Sequence, residues 1–292
     1  MSLRKQIWIK QIKEKFYPDT SFLKFMKDFS GLVDNDIINM AEAGIDPDVL
    51  INNNTYPISI LPRTDVNHTF NLDTFETVNT LVRRPEVIEY SYDQLASVLM
   101  GHKNTLRAST GEKAAHAIAP QSDTADTPVI PTTGADNGEG KKRLTVSDIL
   151  FLKRRYDTLE APKEDRYLVL HPNHIEDLIL HDLEAFKDIT DFVNGTPKRF
   201  AGFNILEFTR NARYNKNDLT KVAFEDAAAA TDTFSSFAFQ REEVMKADGG
   251  VYMYKKENDP ELRGTIVGFD KRFICMPIRN KAVGSIVSVD TV

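Results

Sequence analysis

NLDTFETVNTLVRRPEVIEYSYDQLASVLMGHKNTLRASTGEKAAHAIAP, Asn71 to Pro120, runs from a strand-like segment into one long amphipathic helix. Upstream, Tyr56-Pro57, Leu61-Pro62 and the Asn-rich INNNTYP segment read as turns, while Phe70, Leu72, Thr77, Asn79 and Leu81 sit in runs with β character. A long two-stranded excursion over Ile51 to Tyr90 is therefore expected. Ser91-Tyr92-Asp93-Gln94 has capping-box spacing, and Leu95, Val98, Leu99, His102, Leu106 and Ala114 then recur at helical intervals. A helix from Tyr92 to Ile118 would be about 40 Å long, with Ser109-Thr110-Gly111 as the place for a kink. His102 and His116 on that helix are expected to pack or to face solvent. No catalytic motif accompanies the stretch, which suits a chain shaped to fit against copies of itself. Phe75, Glu76, Arg83 and Arg84 are the candidate subunit contacts of the excursion; solvated edge charges are the plain alternative.

On the amino-terminal side, Ile7, Ile9, Ile12, Phe16, Phe22, Phe25 and Phe29 are irregularly spaced and Pro18 interrupts them. A short helix followed by a loose arm is expected, its aromatics covering either their own core or a neighbouring subunit. The mixture of Lys and Arg with apolar residues in MSLRKQIWIKQIKEKFYP gives neither a signal peptide nor a membrane span. On the carboxyl side, Pro120 to Lys142 is rich in Ser, Thr, Asp, Gly and Pro, and reads as a flexible connector or exposed loop.

A second module opens at Thr145, where Thr145-Val146-Ser147-Asp148 sets a cap and Ile149, Leu152, Tyr156 and Leu159 follow on one helical face. Arg166 to Leu170 is a short apolar run, expected as a strand buried on both faces, followed by a helix from about Ile175. Further strands are expected at Gly202–Phe208, Phe234–Phe239, Val251–Tyr254 and Gly284–Val289, with Asp248-Gly249-Gly250 as a hairpin turn. The fold class is α+β.

The chain has 292 residues with 41% hydrophobic content, enough to bury a core, and 37 Lys+Arg against 43 Asp+Glu give a net charge of -6. That balance disfavours sequence-specific DNA binding through phosphate neutralisation. Cys275 is the single cysteine, so no internal disulfide forms, and Phe273, Ile274 and Met276 around it suggest a buried thiol in a reducing compartment.

The strongest enzyme-like cluster is HPNHIEDLILH: His174, Asp177 and His181 would share one helical face, with His171 just ahead. The spacing is no recognised metal motif, and HExxH, GxSxG, GxxxxGK[ST], GxGxxG and CxxC are absent. Asn173 is expected to cap the helix and Asp177 to be solvated. No catalytic, cofactor or metal site is predicted.

The phrases LDTFETVNTLV, SYDQLASVLMGHKNTL, LTVSDILFLKRRYDTLEAPKEDRYLVLHP and GFNILEF, taken in order, resemble the major capsid proteins of tailed bacteriophages, in particular those of phages and prophages from Bacteroides-like bacteria. The resemblance covers roughly Asp65 to the carboxyl terminus. It implies the fold shared by tailed-phage and herpesvirus capsids: an amino-terminal arm (1–54), an extended β flap or E-loop (55–90), a spine helix (Ser91 to Ala119) with a loop and part of a peripheral domain (91–165), a mainly axial domain (166–270), and a return to the peripheral domain (271–292). It also implies a structural, non-enzymatic protein that self-assembles into the pentamers and hexamers of an icosahedral head. That head would enclose double-stranded DNA without sequence-specific binding. A separate scaffolding protein and a portal are implied partners, with manufacture in the host bacterial cytoplasm, residence in the virion and no membrane. Two features depart from some relatives: no long charged helical scaffolding segment precedes the arm, and no pattern marks the flap lysine and asparagine that some relatives crosslink. The alternatives are an encapsulin-like compartment shell and, further off, a metal-dependent hydrolase using His171, His174 and His181.

Overall fold

The computed structural model describes residues 22–33, 37–42, 49, 51–54, 56–58, 66–83, 87–181, 190–191, 196–197 and 199–291. Expectations for Ile7, Ile9, Ile12, Phe16, Leu61, Pro62 and Arg84 lie outside these residues. In chain order, β1 (Ile37–Glu42) and β2 (Val66–Asn71) are followed by β3 (Asp73–Glu76), β4 (Thr80–Arg83) and helix α1 (Val87–Ile118). Next come β5 (Val129–Pro131), α2 (Val146–Thr158), β6 (Arg166–Leu170), α3 (Pro172–His181) and β7 (Phe203–Glu207). The chain ends through β8 (Ser235–Gln240), the long β9 (Val244–Asp259) and β10 (Gly264–Pro277), and β11 (Val283–Val287).

The continuous apolar runs form one six-stranded sheet, ordered Arg199–Phe200, β7, β6, β8, β11, β5. β7 runs parallel to β6 and β5 parallel to β11, whereas β8 is antiparallel to both of its neighbours. Every residue of β6, β8 and β11 is buried. Both faces of the sheet are covered, which is what an unbroken apolar strand requires. Leu168, Leu170, Phe203, Ile205 and Ile286 meet Ile149, Leu152 and Tyr156 of α2 and Ile175 and Leu178 of α3. Thr145 caps α2 through a reciprocal box with Asp148, as its spacing predicts. The opposite face, through Val169, Phe237, Phe239 and Val287, meets Ala114, Ala115 and Ile118 of α1 together with Phe22 and Met26. Phe25 stacks on Tyr167 at 4.8 Å between ring centroids. Phe22, Phe25 and Met26 thus pack on the core of their own subunit. Cys275 is buried beside Met26, with Sγ 3.4 Å from Sδ, and burial pushes its thiol pKa up.

The second sheet is built on the hairpin of β9 and β10, with Lys27–Asp28 parallel to β9 and with β3 and β4 along the outer edge of β10. Met253, Val267 and Phe269 on its inner face pack on Leu99 and Leu106 of α1, and His102 meets Phe269 edge-on at 5.1 Å. One helix therefore braces both sheets. Its 32 residues make it about 48 Å long, and it begins at Val87, one turn before Ser91, with Pro85 close upstream in the sequence. It runs unbroken through Ser109–Gly111. Gly111 is there for close approach, since a Cβ would stand 3.3 Å from Cζ of Phe208. At the carboxyl end, Lys221 Nζ bonds the carbonyls of His116 (3.0 Å) and Ala119 (2.6 Å), a cation at the negative end of the helix dipole. Among the described residues no helix is long and apolar enough to cross a membrane.

Four expectations need correction. The two-stranded pairing joins β1 to β2, Ile37 opposite Asn71, so it begins inside the stretch 1–54 rather than at Ile51; IINMAE has no strict alternation to announce it. Pro120–Lys142 is not a loose connector. Thr127–Ile130 are buried, β5 extends the sheet, Asp123 accepts from the Val129 amide at 3.0 Å, and Asp136 and Asn137 cap the turn amides of Gly138 and Glu139. Its Asp, Asn and Thr side chains close turns by bonding local backbone. Asp248-Gly249-Gly250 is a bulge inside β9, where the register steps from Asp248 opposite Phe273 to Gly250 opposite Arg272; Gly250 has φ of 137°. The turn lies instead between Asp259 and Gly264. Lastly, a boundary between residues 270 and 271 would cut β10 in two. β9 and β10 satisfy each other's backbone groups and form one unit, while β11 rejoins the six-stranded sheet beside β8.

Candidate assembly surfaces

β9 alternates. Val251 and Met253 turn toward α1, while Tyr252 and Tyr254 stand on the other face, 59% and 62% exposed. An antiparallel sheet with a helix on one side leaves its other side open in this way. The same face is roofed further along, where Phe29, Val33, Ile38 and Leu72 cover Ala247 and Ile274. The root of the β1–β2 hairpin thus closes one half of the face and leaves the half bearing the two tyrosines bare.

Of the contacts expected from sequence, Glu76 is exposed at the end of β3, opposite Asp270 of β10, which in turn stands opposite Tyr252. Glu76 and Tyr252 therefore belong to one cross-strand row. Phe75 is half-buried and turns the other way, its ring 6.3 Å from that of Phe273 and packed among Leu106 and Met253. The Arg83 backbone pairs with Gly264 at the end of β4, and Arg84 lies outside the described residues. Tyr252 and Tyr254 escaped the sequence reading, although the alternation VYMY carries their signal.

His174 and Asp177 of the histidine cluster are buried in the fold, while His171 is half-buried. The His171 ring caps α3, its Nδ1 accepting from the Asn173 amide at 3.3 Å, and Pro172 takes the first helical position, where a missing N–H costs nothing. Asn173, expected as the cap, lies inside the helix. Asp177, expected to be solvated, is buried and accepts from the Leu144 amide at 3.1 Å; burial raises its pKa. His174 Nδ1 is 2.6 Å from Ser236 Oγ, which also accepts from the His171 amide at 2.9 Å. This pair has the composition of a nucleophile and a base, but both residues are fully buried, so no substrate reaches them. The side chain of His181 lies outside the described residues. Among the described residues no group of three His, Cys, Asp or Glu side chains is placed to hold a metal.

Burial drives the His174 pKa down from 6.5 to about 3. The unfolded chain then binds a proton between about pH 6.5 and pH 3 that the folded chain refuses, so stability present above pH 6.5 is lost as pH falls through that window. We expect His174 to contribute a loss of about 1.4 kcal/mol per pH unit between pH 6.5 and 5. Burial also lowers the pKa of His102, His116 and His171, with the same sign. Urea melts of the wild type and His174→Gln at stepped pH check this; equal slopes in the two proteins would refute it.

No protein-family model and no curated protein matches the chain. Solved structures do match. The capsid of Cyanophage P-SCSP1u is 15% identical with a TM-score of 0.67, covering 94% of this chain and 90% of that one. The capsid of Ralstonia phage GP4 is 9% identical with a TM-score of 0.64, covering 94% and 92%. A virus-like particle from Pyrococcus furiosus is 10% identical with a TM-score of 0.61, covering 98% and 100%. Over more than nine-tenths of its length, the chain has the fold of phage capsid subunits.

Proposed function

We propose that this protein is a structural shell subunit, the major capsid protein of a tailed-phage-type head, without enzymatic activity. The correspondence of nearly the whole chain with the Cyanophage P-SCSP1u capsid subunit carries this reading. In it, the six-stranded sheet with α2 and α3 is the axial domain, α1 with the β9–β10 hairpin is the peripheral domain, and β1–β2 with the chain between them is the flap. Many modest interfaces repeated by symmetry then close the shell. Glu76 and the arginines at positions 83 and 84 are candidate rim contacts, and Phe75 is a candidate through its support of the strand that carries Glu76. Double-stranded DNA is held by enclosure, which a net charge of -6 suits, because a strongly basic wall would bind the genome and resist its release. A scaffolding protein and a portal are the expected partners, the host bacterial cytoplasm the place of synthesis, and a phage or prophage of Bacteroides-like bacteria the source. A protein-filled compartment is the second reading; the virus-like particle match, at TM-score 0.61 against 0.67, does not favour it.

Light scattering with negative-stain imaging of the purified protein tests the proposal. Pentamers, hexamers or closed particles are expected, and nucleic acid within particles made in cells carrying the phage genes would separate a head from a compartment. A chain that stays monomeric both alone and when co-expressed with its neighbouring scaffold gene would end the shell reading.

A further inference from the structure

At the carboxyl ends of the parallel strands β6 and β7 lies an open cleft of about 450 Å³. His171 follows β6, Thr209 and Arg210 follow β7, and α3 starts at the same edge. Open sheets characteristically receive ligands at this edge, beyond the carboxyl ends of parallel strands.

The charges in the cleft do not cancel. Arg213 and Asp232 pair at 2.8 Å and Arg210 meets Glu112 at 3.3 Å. Lys141 has no carboxylate among the described residues; its Nζ lies 3.1 Å from Thr233 Oγ1 and 4.5 Å from the centroid of Phe234. One positive charge is left over, with donors to spare, because Lys141 uses one of its three N–H groups and Arg210 one of its five. The field is already felt locally: after burial, the Lys141 charge is a further cause of the lowered pKa of His171 and His174.

The lining also selects among anions. Phe234 is engaged by His171, stacked at 4.7 Å, and by Lys141, so it offers no platform for a nucleic-acid base. Asn211 belongs to the wall of the cleft, donating Nδ2 to the Ser235 carbonyl at 3.0 Å. A compact oxyanion can accept from the spare donors of Lys141 and Arg210. Hydrogenphosphate and phosphate monoesters have that chemistry.

We propose that this cleft binds a phosphate group, with Lys141 and Arg210 as its principal cationic contacts. The proposal is independent of the shell reading. Phosphate binding that favours the folded chain raises its melting temperature by mass action. The test is scanning calorimetry of the full chain at neutral pH, titrated with sodium phosphate or with sodium chloride at matched ionic strength, for the wild type, Lys141→Met and Arg210→Met. Saturable stabilisation by phosphate alone is expected, with apparent affinity weakened about tenfold or more in each variant. If Lys141→Met does not fold, Arg210→Met carries the test, since its ion pair with Glu112 is about half exposed. Equal shifts with chloride, or folded variants that respond like the wild type, would overturn the site. A short DNA duplex whose binding also depends on these two residues would assign the phosphate to a nucleic-acid backbone; inorganic phosphate binding without duplex binding would assign it to a free anion.

Discussion

Replacing Arg166 by Met is expected to lower the unfolding free energy by about 3–5 kcal/mol, read as a fall in the urea midpoint. The side chain is 1% exposed and every arm of its guanidinium is occupied. Nε donates to the Pro162 carbonyl at 2.8 Å, one Nη to Asp157 at 2.8 Å and the other to the Ala161 carbonyl at 2.7 Å, with the Tyr156 ring 5.6 Å away. These bonds tie the end of α2 and the loop after it to the start of β6. Methionine fills comparable space but leaves two carbonyls without this donor, each costing about 1–3 kcal/mol if kept from water. Asp157 suffers less, because Lys153 remains at 2.7 Å. Lysine in place of Arg166 restores the charge but not the three-way fork, so it should recover only part of the loss. A fall of less than about 1 kcal/mol in the Met variant would mean that water takes over the guanidinium's role.

Phe22→Ala is expected to cost about 3–5 kcal/mol in the isolated subunit, the range for deleting a buried aromatic. The ring is 2% exposed, edge-on to Phe208 at 5.0 Å and to Phe237 at 5.4 Å, and it lies in the same cluster as the small residues Ala114 and Ala115 of α1. Small residues on the helix and large ones on the segment crossing it make one complementary packing. The substitution also separates the two roles open to an amino-terminal aromatic. Here the subunit itself should melt earlier. Unchanged subunit stability with lost assembly would instead place Phe22 against a neighbour.

Much of the fold was legible locally. The buried runs RYLVL and FSSFAF announced β6 and β8, because a strand covered on both faces shows no alternation, and Thr145 with Asp148 announced the start of α2. The candidate surface was legible in part: Glu76 fell on an exposed strand end, whereas Phe75 turned inward to Phe273, nearly two hundred positions away along the chain. Tyr252 and Tyr254 read as ordinary strand residues because nothing nearby says which face the helix will take.

Composition, helical periodicity and capping residues are carried by neighbours along the chain, and from them the sequence determined the fold class and the long helix; the resemblance to capsid subunits rested on whole phrases such as LDTFETVNTLV and GFNILEF. The tertiary structure decided the rest: that β1 pairs with β2, that Asp248–Gly250 is a bulge, that Asp177 is buried against the Leu144 amide, and that Lys141 meets Arg210 and Arg213 in one cleft. Each of these depends on partners distant in sequence, whose pairing is fixed by the burial of shared faces and the satisfaction of backbone groups across the whole molecule.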